Sequence, residues 1–286
     1  MNHEKVELPS TLLSSLTASP LNPGTGVLLI PGFGSNAAVW EEVRSELAAN
    51  VSVGITVGAA TAQAVARGAT KIETFADELW KVVDSLGWSR VVLVGHSVGA
   101  LTACEMAAQD RSARCKALVL PNGGIVNVSK MMASPLRVGL RHPLKLAAFA
   151  IIAAAGILPI SLRVCAAIAR SDRWSKLLLR WFAGPRLYAN YAQRRIVLES
   201  VPDRGLARGL LANRHYWARL EQVASEIRVP VAILAGSRDP IASPAESSSL
   251  RDYFHHATMK VCDNVGHCIP LEAPETVAAA VRSLLA

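Results

Sequence analysis

The feature that most constrains the fold is a repeated order of a short apolar run, a glycine-bearing turn and a segment of helical periodicity. The runs VLLI at 27–30 and VVLV at 91–94 both begin this order. ALVL at 117–120 and VPVAILAG at 229–236 have the same unbroken apolar character, which is typical of strands buried on both faces. The sequence therefore predicts an α/β fold with a mostly parallel, doubly wound sheet and helices on both faces.

A helix is predicted between the first two runs. Apolar residues recur there at three- and four-residue spacing, the period of an amphipathic helix: Ile72, Phe75, Ala76, Leu79, Trp80, Val83 and Leu86. Gly87 follows at the position where a helix commonly ends in a glycine. We therefore expect an amphipathic helix over 72–86.

The segment 130–219 departs from this order, because it has no buried-strand run and is punctuated by prolines. We expect it to be a helical cap (lid), inserted in an α/β core formed by 1–129 and 220–286. It holds 16 basic and three acidic residues, a net charge of +13, whereas the whole chain has a net charge of +8. The rest of the chain is thus mildly acidic.

The most apolar part of this segment, 146–162, contains no charged residue. It is shorter than the roughly 20 residues of a membrane span, and Gly156 and Pro159 interrupt it. We favour a buried hairpin of the cap, with transmembrane insertion as the alternative.

The N-terminal residues do not form the apolar core of a secretory signal. The five cysteines include no C-x-x-C pair, which favours a reducing compartment and argues against a metal site built from them. We expect a cytoplasmic protein, with a peripheral position at a membrane as the alternative.

A candidate nucleophile lies in Gly95-His96-Ser97-Val98-Gly99, between the run VVLV and a helical segment. A sharp turn between a strand and a helix lifts a serine hydroxyl clear of the sheet, and small residues on either side allow that turn. So short a motif also arises by chance, and a glycine-rich turn that binds phosphate or merely connects is the alternative. Its position favours Ser97 as a nucleophile.

A serine nucleophile needs a general base and an acid that orients the base. Asp239 follows the run VPVAILAG, and His267 comes 28 residues later in a glycine-flanked loop, after a further predicted strand, ATMKVC at 257–262. Serine, acid and histidine in this order are what such a turn requires. We predict Ser97, Asp239 and His267 as the catalytic residues.

Other histidines and acids compete for these roles. His96 is expected to point away from the nucleophile by strand alternation, and the remaining histidines lie in the tail, the cap or a helix end. Asp263 and Glu272 flank His267 closely in sequence, so Asp239 is preferred as the acid. The alternative role for Asp239 is a turn-forming Asp-Pro pair.

Acyl transfer also needs two backbone N–H groups aimed at the developing oxyanion. Val98 follows the nucleophile and supplies one. The turn Pro31-Gly32-Phe33-Gly34 follows the first run, and its glycines allow the Phe33 N–H to be exposed as the second. A plain strand-to-helix turn is the alternative for these four residues.

Together these residues resemble the α/β-hydrolase superfamily, in its serine esterase, lipase and thioesterase branch with an inserted lid. The resemblance covers most of 25–125 and 225–286. It is specific in the turn around Ser97 (the nucleophile elbow), in the strand before Asp239 and in the tail GHCIPLEAPE. It implies the catalytic and oxyanion residues named above, and no metal or organic cofactor. In two places the chain departs from the family: Pro31 stands where a histidine is usual, and VGAATAQAVARGATK replaces an acidic, glycine-rich loop.

The resemblance implies hydrolysis of a carboxylic ester or thioester of a hydrophobic acyl group, through an acyl-enzyme on Ser97. Serine in this position argues against dehalogenase and epoxide hydrolase chemistry, which uses a carboxylate nucleophile. Two alternatives stay open: acyltransferase, cyclase or lyase chemistry with the same triad, or a ligand-binding protein with little turnover.

The basic, apolar cap favours a small-molecule or lipid-like acyl substrate that carries an anionic group. An acyl carrier protein or an anionic membrane surface would also fit the charge. In the plainer alternative the arginines are solvated helix faces and the apolar residues form the core of the lid. A nucleic-acid partner is not expected, because no binding motif accompanies the charge.

Overall fold

The computed structural model describes residues 12–19, 22, 24–32, 35–58, 62–123, 167–168, 170–180, 183–200, 213 and 216–285. Within these ranges seven strands form one sheet in the order β1-β3-β2-β4-β5-β6-β7. The strands are β1 Leu13–Thr17, β2 Thr25–Ile30, β3 Ser52–Thr56, β4 Arg90–Gly95, β5 Cys115–Pro121, β6 Val231–Gly236 and β7 Ala257–Cys262. All neighbouring strands are parallel except β1 and β3, which confirms the mostly parallel sheet.

The described helices follow the strands along the chain. They are α1 Glu41–Leu47, preceded by a 3₁₀ turn at Ala37–Trp40, α2 Ala62–Ala66, α3 Ile72–Ser85, α4 Val98–Gln109, α5 Asp172–Leu179, α6 Pro185–Ala189, α7 Tyr191–Ser200, α8 Tyr216–Glu226, α9 Pro244–Arg251, α10 Ile269–Glu272 and α11 Pro274–Leu285. The predicted helix over 72–86 is confirmed as α3, and Gly87 follows it with φ +67°.

Two apolar cores lie on the two faces of the sheet, because successive side chains of a strand point to opposite faces. On β2, Leu28 and Ile30 belong to one core, which α3, α4, α8 and α9 cover. Val27 and Leu29 belong to the other, which α1 and α11 cover. This arrangement explains why β2, β4, β5 and β6 read as unbroken apolar runs, and it confirms the doubly wound α/β fold.

Between β5 and β6 the described chain is helical, with α5, α6 and α7 followed by α8. Arg194 on α7 is fully buried there. Its guanidinium donates to Ser175 Oγ at 3.0 Å and also contacts the Asp172 carboxylate and the Tyr188 carbonyl oxygen. The buried charge therefore has partners and ties these helices to one another.

These helices also contact the core of the molecule. Gln193 Nε2 donates to the Leu271 carbonyl oxygen at 3.1 Å and to Glu42 at 2.9 Å. Arg186 pairs with Glu42 and Glu275 at half-exposed positions, where ion pairs contribute little to stability. The boundaries of the predicted cap at 130–219 stay a prediction, since 124–166 and 201–212 lie outside the described residues.

The apolar stretch at 146–162 also lies outside the described residues, so its prediction as a hairpin stays open. Of the helices in the described ranges, none is both long and apolar enough to cross a bilayer.

Candidate active site

Ser97 lies at a tight turn between β4 and α4. Its backbone has φ 52° and ψ −122°, a sparsely populated conformation with positive φ that costs a residue other than glycine about 1–3 kcal/mol. Two hydrogen bonds hold the turn: the Ser97 N–H donates to the Pro121 carbonyl oxygen at 3.2 Å, and the Gly99 N–H donates to that of His96 at 2.8 Å. The turn places the serine hydroxyl at the carboxyl end of β4.

The two glycines of the motif are where the turn packs most closely on its neighbours. A Cβ on Gly95 would lie 2.3 Å from the carbonyl oxygen of Gly99, and a Cβ on Gly99 would lie 2.3 Å from that of Ile30. Both obstacles are backbone atoms, so no rotation of a side chain could make room. Glycine is therefore required at both positions for the turn to rest against the end of β2.

The structure brings Ser97, Asp239 and His267 together in one chain of hydrogen bonds. A carboxylate can only accept, so His267 Nδ1–H donates to Asp239 Oδ2, at 2.7 Å. Nε2 then accepts from the Ser97 hydroxyl at 3.2 Å. The other Asp239 oxygen accepts from the N–H groups of Ile241 and Ala242, at 2.7 and 3.1 Å. The base is thus held in the tautomer that can receive a proton from serine.

Burial and charge act in opposite directions on this pair. Burial acts to raise the pKa of Asp239, but its attraction to His267 and its hydrogen bonds hold the pKa below the ordinary value. Burial acts to lower the pKa of His267, but the attraction to Asp239 and their hydrogen bond raise it above the ordinary value. Asp239 is therefore ionised near neutral pH and stabilises a proton on the imidazole.

Of the two predicted oxyanion donors, Val98 lies within the described residues. Its N–H is the first of α4, and no described residue accepts a hydrogen bond from it. Phe33 lies outside the described residues, so its role stays a prediction. Gly32 just before it packs on the elbow, since a Cβ there would lie 3.0 Å from Ser97 Cβ. The chain thus leaves β2 beside Ser97.

His96 lies nearer to this site than strand alternation predicts. Its ring centroid is 5.1 Å from that of His267, and its Nε2–H donates to the His267 carbonyl oxygen at 2.8 Å. Burial, together with repulsion from His267, lowers the pKa of His96 to about 3. The prediction that His96 points away from the reaction face of the serine did not include this contact: the neutral ring supports the backbone of His267.

A polar residue that the sequence analysis did not single out is Asn122, directly after β5. It is fully buried and has φ 46°. Its Nδ2 donates to the carbonyl oxygens of Gly266 and His267, at 2.9 and 2.7 Å, and its Oδ1 accepts from the Gly236 N–H at 2.9 Å. Its position at the carboxyl end of a buried strand, the rule that predicted Ser97 and Asp239, could have found it.

Glu272 bonds the backbone on both sides of His267. Its carboxylate accepts from the N–H groups of Gly266 at 3.2 Å and Cys268 at 3.3 Å, and also from that of Gly184 in the helical segment before α6. Burial raises the pKa of this carboxyl group above the ordinary value. Its signal in the sequence is a single acid inside the apolar run CIPLEAP.

Comparison with family models matches residues 26–274 to the α/β-hydrolase fold. A search of curated protein sequences finds no match. Among the described residues, no cluster of His, Cys, Asp and Glu side chains could hold a metal ion.

Several solved structures share the fold at low sequence identity. An esterase from Thermogutta terrifontis has a TM-score of 0.62 and 20% identity over 99% of this chain and 98% of its own. An enol-lactonase from Burkholderia xenovorans LB400 has a TM-score of 0.66 and 16% identity over 95% of each chain. Est816, described as an N-acyl homoserine lactone degrading enzyme, has a TM-score of 0.63 and 18% identity over 94% of this chain and 95% of its own. These likenesses show a common fold.

Because the family model matches most of its length, the chain belongs to the α/β-hydrolase fold family.

Proposed function

We propose that the protein is a serine hydrolase that cleaves a carboxylic ester or thioester of a hydrophobic acyl group through an acyl-enzyme on Ser97. The observation that carries this proposal is the hydrogen-bond chain from Ser97 through His267 to Asp239, at the carboxyl ends of β4, β7 and β6. The likeness to an esterase and to an enol-lactonase supports an ester bond as the target.

In the first half of the reaction, Ser97 Oγ attacks the substrate carbonyl while His267 Nε2 takes the hydroxyl proton. Asp239 stabilises the imidazolium that forms. The Val98 N–H, with the predicted Phe33 N–H, donates to the oxyanion of the tetrahedral intermediate. His267 then gives its proton to the leaving alkoxide or thiolate, and the acyl group stays on Ser97.

In the second half, His267 takes a proton from water as the water oxygen attacks the acyl-enzyme. The second tetrahedral intermediate collapses, Ser97 Oγ leaves, and His267 returns the proton to it. The products are the free acid and a regenerated enzyme.

Charge and apolar surface between β5 and β6 support a lipid-like acyl substrate with an anionic group. Trp174, Leu177 and Leu178 on α5 are exposed, and the same helix carries Arg173 and Lys176. Apolar side chains beside basic ones suit both an acyl chain and a phosphate or carboxylate. The same chemistry would suit an acyl carrier protein or an anionic membrane surface as the source of the substrate.

The test is a series of p-nitrophenyl esters and acyl thioesters of increasing chain length, hydrolysed by the wild type, Ser97→Ala and Ser249→Ala. Ser249 is an exposed serine on α9 whose hydroxyl donates to the Ala245 carbonyl oxygen, so it is a matched control. We expect Ser97→Ala to lower kcat at least about a thousandfold and Ser249→Ala to leave it unchanged. A preference for longer acyl chains is expected if the substrate site is apolar.

Labelling with a fluorophosphonate gives a second measurement that needs no knowledge of the substrate. The wild type and Ser249→Ala should be labelled on Ser97, and Ser97→Ala should not be labelled. Equal hydrolysis by the wild type and Ser97→Ala would refute the acyl-enzyme mechanism. Absence of label on wild-type Ser97 would favour a ligand-binding protein with little turnover.

A further inference from the structure

The loop that carries His267 starts from β7, two strands away from β5 and three away from β4, the strand that presents Ser97. β7 is the last strand of the described sheet, and most of its residues are exposed or half-buried. To meet the Ser97 hydroxyl, His267 must reach back across the ends of β6 and β5. Its position therefore depends on what fixes the loop above those two strands.

Asn122 lies at the end of β5, midway along this path. Its backbone N–H donates to the Leu234 carbonyl oxygen on β6 at 2.7 Å. Its side chain then joins two segments: Gly236 at the end of β6, three residues before Asp239, and the pair Gly266 and His267 in the loop. One carboxamide thus links the strand that leads to the acid with the loop that holds the base.

The chemistry of this junction needs a carboxamide. Two carbonyl oxygens there require donors and one N–H requires an acceptor, and an asparagine side chain offers both from one short stem. A carboxylate in the same place would direct lone pairs at two carbonyl oxygens. An apolar side chain would leave buried polar groups without these partners.

We propose that Asn122 is a positioning residue of the reaction: its carboxamide holds the His267 loop over the sheet so that the imidazole meets Ser97 and Asp239 together. This inference rests on the proposed hydrolase function. Asn122 does not touch the reacting atoms and acts through His267. His96, the second donor to the His267 carbonyl oxygen, holds the same backbone atom from the side of β4.

Two variants change the carboxamide of Asn122 while the backbone at this position keeps its conformation. Asn122→Asp keeps the shape and removes the two donated hydrogen bonds. Asn122→Gly removes the side chain at φ 46°, a conformation that glycine adopts without strain. Asn264→Asp is the matched control, because Asn264 is an exposed asparagine with φ 58° close to Gly266 in the same loop.

On a p-nitrophenyl ester, both Asn122 variants should lower kcat about 100-fold, since a displacement of about 1 Å in a catalytic group costs this much. KM should change less than about threefold, because substrate binding does not involve the carboxamide. In Asn122→Gly the acid limb of the kcat/KM profile should move to lower pH, because a looser contact with Asp239 raises the pKa of His267 less. Asn264→Asp should behave like the wild type.

The downfield proton NMR signal of His267 Nδ1–H, hydrogen-bonded to Asp239, reports the placement without any substrate. It should weaken or move upfield in Asn122→Gly and stay in place in Asn264→Asp. If the wild type hydrolyses no ester and Ser97 takes no label, the proposed function fails, and this signal still tests the placement of His267.

Two results would overturn the inference. One is kcat within about threefold of the wild type in both folded Asn122 variants. The other is a loss of kcat that follows the loss of folded protein, with an unmoved pH limb and an unchanged NMR signal, which would assign Asn122 a purely structural role.

Discussion

Gly99→Ala is the substitution that best tests whether the contact between α4 and β2 places Ser97. The added Cβ would lie 2.3 Å from the Ile30 carbonyl oxygen and 2.6 Å from that of Pro31, while ordinary contacts begin at 3.4 Å. The first turn of α4 must therefore move away from the end of β2 by about 1 Å. Ser97 and the Val98 N–H move with it.

This displacement has an expected size in two measurements. Overpacking against backbone should lower the free energy of unfolding by about 1–3 kcal/mol, measured by urea denaturation. A shift of about 1 Å at the nucleophile should lower kcat for a p-nitrophenyl ester about 100-fold. The Ser97 hydroxyl, now 3.2 Å from His267 Nε2, would lose part of its contact with the base, so fluorophosphonate labelling should slow as well.

Gly68→Ala is the control, because it costs stability at an exposed position outside the turn that carries Ser97. Gly68 has φ +70° and no atom within 4 Å of its missing Cβ. Alanine there adopts the left-handed backbone at a cost of about 1–2 kcal/mol, and the variant should keep the kcat of the wild type. The reasoning is refuted if Gly99→Ala retains kcat within about threefold. It is also refuted if both variants lose kcat in proportion to their loss of stability.

Two further substitutions test the electrostatics around His267. The imidazole must be neutral to accept the serine proton, and Asp239 raises its pKa, so kcat/KM should fall as pH falls through a value above that of an ordinary histidine. Asp239→Asn removes the attraction. The acid limb of the kcat/KM profile should then move to lower pH, and kcat should fall about 10⁴-fold. An acid limb that stays in place would contradict the role of Asp239. Glu272→Gln puts an amide where a carboxylate accepts from backbone N–H groups, so urea denaturation should show a loss of about 1–3 kcal/mol. Glu275→Gln, at an exposed site, is the control and should change stability by less than about 0.5 kcal/mol. Equal losses of stability in Glu272→Gln and Glu275→Gln would show that the buried Glu272 carboxylate does not stabilise the fold.

The central strands could be predicted from sequence because burial on both faces demands apolar residues at every position. The same argument does not find strands that are buried but contain small or polar residues. All five residues of β3 are buried, but its sequence SVGIT contains serine, glycine and threonine and so gives no apolar run. β1, LSSLT, is an antiparallel edge strand and is half-buried over most of its length.

The three residues of the hydrogen-bond chain were predictable because each follows a recognisable strand in a fixed order. The contacts of the supporting residues were not predictable, even where the position was: Asn122 follows β5 directly, but nothing in the sequence pairs it with Gly266, 144 residues away. Strand alternation could not predict the contact of His96 with His267, because β4 ends at Gly95. His96 already belongs to the turn, where the period of two no longer decides the direction of a side chain.

Gly184 lies where the helices between β5 and β6 contact the loop that carries His267. A Cβ there would lie 2.1 Å from Glu272 Oε2 and 2.5 Å from the Asn264 carbonyl oxygen. The helices between β5 and β6 can change in sequence as long as they leave this loop undisturbed, and at this contact the space admits only a glycine. A chimera that receives a foreign helical segment between β5 and β6, with a larger residue at this point, would displace the loop that carries His267. Such a graft would have to keep this glycine, or redesign Glu272 with it.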